Sequence, residues 1–98
     1  MPKFNHGGLD KFSQYVAENL HYPPMSRIHG STGRVFVQFT VNENGDVCDV
    51  RTVRSSEDKD LDREAVKIIA QSPKWEPGKM RGKPVRVSFT FPLNFMLE

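Results

Sequence analysis

Chemistry in this 98-residue chain would have to come from its three histidines, its one cysteine and its clustered carboxylates. His6, His21 and His29 include no i, i+4 pair, so no helix face presents two imidazoles to a metal. A lone Cys48 excludes an internal disulfide and a C-x-x-C motif. Asp58, Asp60 and Asp62 have the spacing of a calcium loop. Its sixth position, however, is Arg63 where glycine must turn the chain, and its twelfth is Ile69 where glutamate must close the shell. The three carboxylates suit a helix N-terminus instead, where they accept from free N–H groups and complement the dipole. GKMRGK, from Gly78 to Lys83, resembles a phosphate loop in composition only. It is one residue short, lacks a hydroxyl residue after the lysine and leads into a strand, so no helix N-terminus would meet the phosphate. It reads as a basic, flexible turn. With no G-x-S-x-G elbow either, the expectation is a binding protein, with no enzymatic activity, cofactor or metal.

What must position any binding surface is a soluble α+β fold. Hydrophobic residues make up 37% of the chain and charged ones 27%, enough for one domain over 1–98 that folds without a metal or disulfide. The net charge of +2 comes from 14 basic against 12 acidic residues, too balanced to announce a nucleic-acid binder. No apolar run approaches the roughly 18 residues of a membrane span.

Leu9, Phe12, Val16 and Leu20 recur at helical spacing, and Pro23 and Pro24 end that helix. Val35, Val37, Phe39 and Val41 alternate with Phe36, Gln38 and Thr40 and predict a half-buried strand. Asn44-Gly45 predicts a tight hairpin, with Val41 opposite Cys48, Phe39 opposite Val50 and Val37 opposite Thr52; Cys48 and Val50 then face the core. A second helix carries Leu61, Ala65, Ile68 and Ile69 on one stripe. A last strand over 84–94 sets Val85, Val87, Phe89, Phe91 and Leu93 on one face, against Arg86, Ser88 and Thr90 on the other. The predicted architecture is a three-stranded antiparallel sheet in the order 2-1-3, closed by a right-handed split crossover, with two helices packed on one face. The last strand is then an edge. Pro84 and Pro92 frame it, as prolines frame edges that must not pair freely.

Two patterns bear on what that edge is for. TGRVFVQF overlaps an RNA-recognition strand at Gly33, Phe36, Val37 and Phe39, yet Thr32 stands where a basic residue belongs and Arg34 where a stacking aromatic belongs. The element order is also wrong for that domain. By contrast, HYP at 21–23, G-x-x-G-R-V-x-V-x-F-x-V at 30–41, N-G-D-V at 44–47, D-x-x-A at 62–65, P-K-W-E-P-G-K at 73–79 and G-K-P-V-x-V-x-F at 82–89 occur in one order along nearly the whole chain. Together with Gly7-Gly8 ahead of the first helix, they resemble the C-terminal domain of TonB energy-transducing proteins in its Bacteroidetes-like form.

The resemblance implies a periplasmic domain, anchored to the inner membrane through an N-terminal segment outside this chain and coupled there to proton-channel motor proteins. It implies a partner: the TonB box of an outer-membrane transporter, an extended peptide that adds to the last strand. The residues it assigns to that contact are Tyr22 and Pro23, Asn19 in place of a family glutamine, and the edge Val85, Arg86, Val87, Ser88, Phe89, Thr90 and Phe91. Trp75 and Pro77 match the family's approach to that strand, with Trp75 as a packing anchor. The same edge could pair with a second copy at high concentration. An alternative is a TonB-like module fused to a membrane sensor or metallopeptidase, receiving a different peptide.

Overall fold

A computed structural model describes residues 3–4 and 9–97, with the side chains of residues 3, 4, 9 and 10 excepted. Along the chain run β1 (Lys3–Phe4), α1 (Leu9–Asn19), α2 (Pro24–Ile28), β2 (Gly33–Val41), β3 (Val47–Arg54), α3 (Lys59–Ala70), β4 (Trp75–Glu76), β5 (Gly78–Met80), β6 (Lys83–Val85) and β7 (Val87–Phe95). β2 lies between β3 and β7, antiparallel to both, as the 2-1-3 order predicts.

Period-two alternation gives β2 one fully buried face, Val35, Val37, Phe39 and Val41. Both long helices pack on it. α1 contributes Phe12 and Val16, and α3 contributes Leu61, Ala65, Ile68 and Ile69, the stripes expected from their 3.6-residue spacing. Leu20 packs at the margin of this core, and the side chain of Leu9 lies outside the described residues, as do His6 and Gly7-Gly8. Asp58 is the N-cap of α3: its carboxylate accepts from the N–H groups of Asp60 at 2.8 Å and Leu61 at 3.3 Å. The Ser26 hydroxyl, on α2, donates to the same carboxylate at 2.9 Å, which ties the two helices together. Sequence spacing missed α2: the first helix already ends at Asn19, and Pro24 begins a second, short one, where a proline at the first helical position loses no hydrogen bond.

Three details differ from the sequence reading. The hairpin closes from Asn42 to Asp46, with Asn42 N–H donating to Asp46 C=O at 3.0 Å and the Asn42 side chain accepting from Asn44 and Asp46. Gly45, at φ +85°, ends this longer turn. The extra residue offsets the pairing by one, to Val41 with Val47 and Thr40 with Cys48. Cys48 therefore lies on the face away from the helices, not in the core, because a one-residue slip exchanges faces. A bulge at Asp49, φ +53°, restores the expected pairing of Val37 with Thr52, and Val50 packs against the core as expected.

The strand expected over 84–94 is interrupted at Arg86. Lys83–Val85 pairs instead with Gly78–Met80, through a turn whose Arg81 and Gly82 both have positive φ, +53° and +79°. The GKMRGK stretch is thus an ordered two-residue hairpin of the twist-matched kind.

Candidate functional site

Nine successive pairs join β7 to β2, from Val87 with Val41 to Phe95 with Gly33, in one unbroken register. The other edge of β7 has no partner strand among the described residues. Which of its groups face outward follows from one residue. Opposed residues in an antiparallel ladder alternate between pairs that exchange both hydrogen bonds and pairs that exchange none. Pro92, opposite Phe36, has no N–H, so its pair belongs to the second kind. Alternation then fixes the rest: Val87, Phe89, Phe91, Leu93 and Phe95 bond inward to β2. Ser88, Thr90, Pro92 and Asn94 turn their backbone groups outward, and all but Pro92 offer an N–H.

Side chains alternate with the same period. Those of Phe91, Leu93 and Phe95 are buried under the helices, and Val87 and Phe89 are half-buried there. Phe89 stacks on Trp75 and on Phe39, with ring centroids 5.7 and 5.5 Å apart. Trp75 is 3% exposed, with Phe12 at 5.0 Å and its indole N–H donating to Ser72 Oγ at 3.1 Å, so it is the expected packing anchor. A rigid aromatic layer thereby supports the middle of the edge. On the opposite face Ser88, Thr90, Pro92 and Asn94 are exposed, and the Ser88 hydroxyl shares a 3.0 Å hydrogen bond with Thr40.

The remaining residues singled out by sequence are spread around this strand. Tyr22 packs its ring edge-on against Phe95, centroids 5.6 Å apart, and its hydroxyl donates to the Ser31 carbonyl, so it stands beside the C-terminal end of β7. Pro23 is the N-cap residue of α2. Both border a hollow reaching to Asp60, Arg63, Glu64 and Lys67 of α3. Asn19 donates its amide to the Tyr15 carbonyl one turn back, at 2.8 Å, and opens onto a different hollow, none of whose lining residues belongs to β7. Arg86 stands at the other end, where its guanidinium meets Asp49 at 3.0 Å and Glu43 at 3.8 Å. Val85 pairs with Gly78 and is not part of the free edge.

β3 also has an outer edge without a partner strand among the described residues, but it breaks register twice against β2 and holds Asp49 in a left-handed conformation. Bulges of this kind twist an edge away from flat pairing. β7 is the straighter template. Among the described residues, no group of three or more His, Cys, Asp or Glu side chains could hold a metal, and no helix is long and apolar enough to cross a membrane.

Residues 18–97 match the family model of the Gram-negative bacterial TonB protein C-terminal region. The chain belongs to that family. It is similar to Protein TonB of Helicobacter pylori, 34% identical over 61 residues, which is 62% of this chain and 22% of the relative. It thus spans about a fifth of that relative's length. In three dimensions it is similar to the NMR solution structure of Helicobacter pylori TonB-CTD, with a TM-score of 0.74 and 29% identity over 92% of this chain and 80% of the other. It is also similar to that of Pseudomonas aeruginosa TonB CTD, with a TM-score of 0.66 and 32% identity over 80% of this chain and 78% of the other. The TonB C-terminal fold expected from the motifs is therefore present. Its last strand is the free-edged β7.

Proposed function

We propose that this chain is the receptor-engaging part of a TonB-type energy transducer. In this reading it takes the TonB box of an outer-membrane transporter as an antiparallel strand on β7 and passes on force generated at the inner membrane. The observation that carries the proposal is the outward row of backbone groups at Ser88 and Thr90, on a strand held by nine unbroken pairs. An incoming strand would satisfy those groups, its ladder bonds supplying affinity and its alternate side chains selectivity. Side chains opposite Val87, Phe89 and Phe91 would meet the apolar, aromatic-backed face, and those opposite Ser88 and Thr90 would meet hydroxyls. Tyr22 and Pro23 would touch an extension of the peptide beyond the C-terminal end of β7, and Arg86 would border its other end. A role for Asn19 finds least support, since its amide is used within α1.

The rest of the reading rests on family membership: a periplasmic location, an inner-membrane anchor outside this chain, and proton-channel motor proteins as partners. The test is NMR titration of the ¹⁵N-labelled chain with a TonB-box peptide. The largest amide shifts are expected over 87–91. If they cluster over 47–54 instead, the docking strand is β3 and the proposal fails.

A further inference from the structure

Between Pro77 and Val87 the chain carries the cations Lys79, Arg81, Lys83 and Arg86 and no acid. The first three stand on the hairpin of β5 and β6, whose residues 79–84 are all exposed. The acids at this end of the sheet are already matched: Asp49 and Glu43 by Arg86, and Asp46 by Lys74 at 4.0 Å. Lys79, Arg81 and Lys83 have no acidic partner among the described residues. The hairpin therefore presents a surplus of positive charge. Its turn is a second sign. The first turn position of such a hairpin favours asparagine, aspartate or glycine, yet Arg81 holds it at φ +53°, a conformation disfavoured for a side-chain-bearing residue. No hydrogen bond or ion pair of the Arg81 side chain among the described residues compensates for that choice.

What the hairpin could meet follows from the direction of β7. Only Arg86 separates β6 from β7, and the chain from Lys83 to Val87 spans at most about 14 Å. A strand added antiparallel to β7 runs the opposite way, so the residues that follow its docked segment leave past Val87, toward the hairpin. Those that precede it leave past Phe95. That other end lacks free cations of the same kind: Arg27 and Arg34 lie over the rings of Tyr22 and Phe36, each 5.9 Å from the centroid, and Arg34 donates to Asn94. Asp60 and Glu64 also line the hollow beside Tyr22.

We infer that the β7 edge takes a peptide that continues into an acidic segment on the C-terminal side of its docked strand, and that Lys79, Arg81 and Lys83 receive this segment and so fix the peptide's direction. The inference rests on the docking role proposed above and adds to it the charge of the partner and the end at which that charge lies. Exposed ion pairs are individually weak. The hairpin thus selects among peptides that dock, while the ladder bonds do the docking.

The experiment measures, by fluorescence anisotropy at about 0.05 M salt, the binding of labelled synthetic peptides that share one alternating valine-threonine pentapeptide. One has a run of glutamines on both sides; the others carry glutamates in place of the glutamines on the C-terminal or on the N-terminal side. The C-terminally acidic peptide should bind at least about threefold tighter than the neutral one, and the N-terminally acidic peptide within about twofold of it. The advantage should vanish at about 0.5 M salt, where the screening length falls to about 4 Å. Lys79→Gln/Arg81→Asn/Lys83→Gln should bind all of them within about twofold of one another. Asparagine suits the left-handed turn position, so this variant is expected to fold, and circular dichroism checks that it does.

Equal affinities for the parent chain would overturn the inference and leave the docking role standing, whereas no binding of any peptide would sink the docking role and the inference with it. A preference for the N-terminally acidic peptide, or an advantage that survives in the triple variant, would also overturn it. So would flanks without effect on a parent chain that co-sediments with phosphatidylglycerol vesicles, since the hairpin would then belong to an anionic lipid surface.

Discussion

At Gly45 two constraints coincide. The residue has φ +85°, and a Cβ built there would lie 2.0 Å from the Trp75 carbonyl oxygen, whose own residue donates its N–H to Gly45 C=O at 2.8 Å. Left-handed backbone alone costs a side-chain-bearing residue about 1–2 kcal/mol, and the clash adds to it. Gly45→Ala is expected to lower the urea midpoint substantially without changing the unfolding slope; a midpoint within error of the parent would mean that the turn and Trp75 are not coupled.

Asp58 carries a charge-linked effect. Burial on its own would raise its carboxyl, but hydrogen bonds from Ser26 and Ser31 and from the Asp60 and Leu61 N–H groups outweigh that and hold it below the usual carboxylate range. A depressed folded value stabilises the fold above the unfolded pKa of about 3.9, and that stabilisation is lost as pH falls through the folded value. Asp58→Ala should therefore melt lower than the parent at neutral pH, with the gap narrowing as the pH falls below the unfolded value of about 3.9. A gap independent of pH would assign the effect to helix capping geometry and not to charge.

At the scale of elements, ladder parity turns β7 into an alternating series of substitutions. Thr90→Pro removes an outward donor, so it should leave stability within about 1 kcal/mol of Thr90→Ala while abolishing peptide binding. Val87→Pro removes an inward bond to Val41 and should cost at least about 1 kcal/mol more than Val87→Ala. Urea unfolding and peptide titration on the same four variants separate the outcomes, and equal unfolding of both proline variants would refute the free edge. The sequence could not assign these directions, because alternation of side chains gives faces but not the phase of the hydrogen bonds.

The long elements were legible for a simple reason: β2, β7, α1 and α3 each repeat one period for two turns or more. The failures were local. Asn44-Gly45 marks a hairpin, but Asn42, whose side chain builds the longer turn, had no recognisable signature, and the face of Cys48 followed that error. The break at Arg86 was hidden because Val85, Val87 and Phe89 keep their alternation straight across it. Tyr22 and Asn19 stand only three residues apart, yet one reaches Phe95 while the other opens onto the α1–α3 seam, a divergence produced by the chain leaving the helix between them.

Over the whole molecule, the described residues extend 50 × 22 × 15 Å, with β7 running along one margin of the sheet. A single short strand buries little surface, and ordering a flexible peptide offsets much of the gain. Isothermal titration with a TonB-box peptide is expected to give a Kd weaker than about 1 µM; a nanomolar value would require contacts well beyond the edge. The nine unbroken pairs between β7 and β2 then acquire a mechanical meaning. Tension applied along the axis of β7 loads its ladder bonds side by side, so they resist as a group instead of opening one after another. On the proposed docking, a peptide held over Val87–Phe91 would share the same pull among fewer bonds on one flank of β7 than β2 supplies on the other. If the proposed docking holds, a guest strand under rising tension would shear off while its host stayed in the sheet, which would make the peptide contact a fuse: it would fail first, and the domain would survive to engage again.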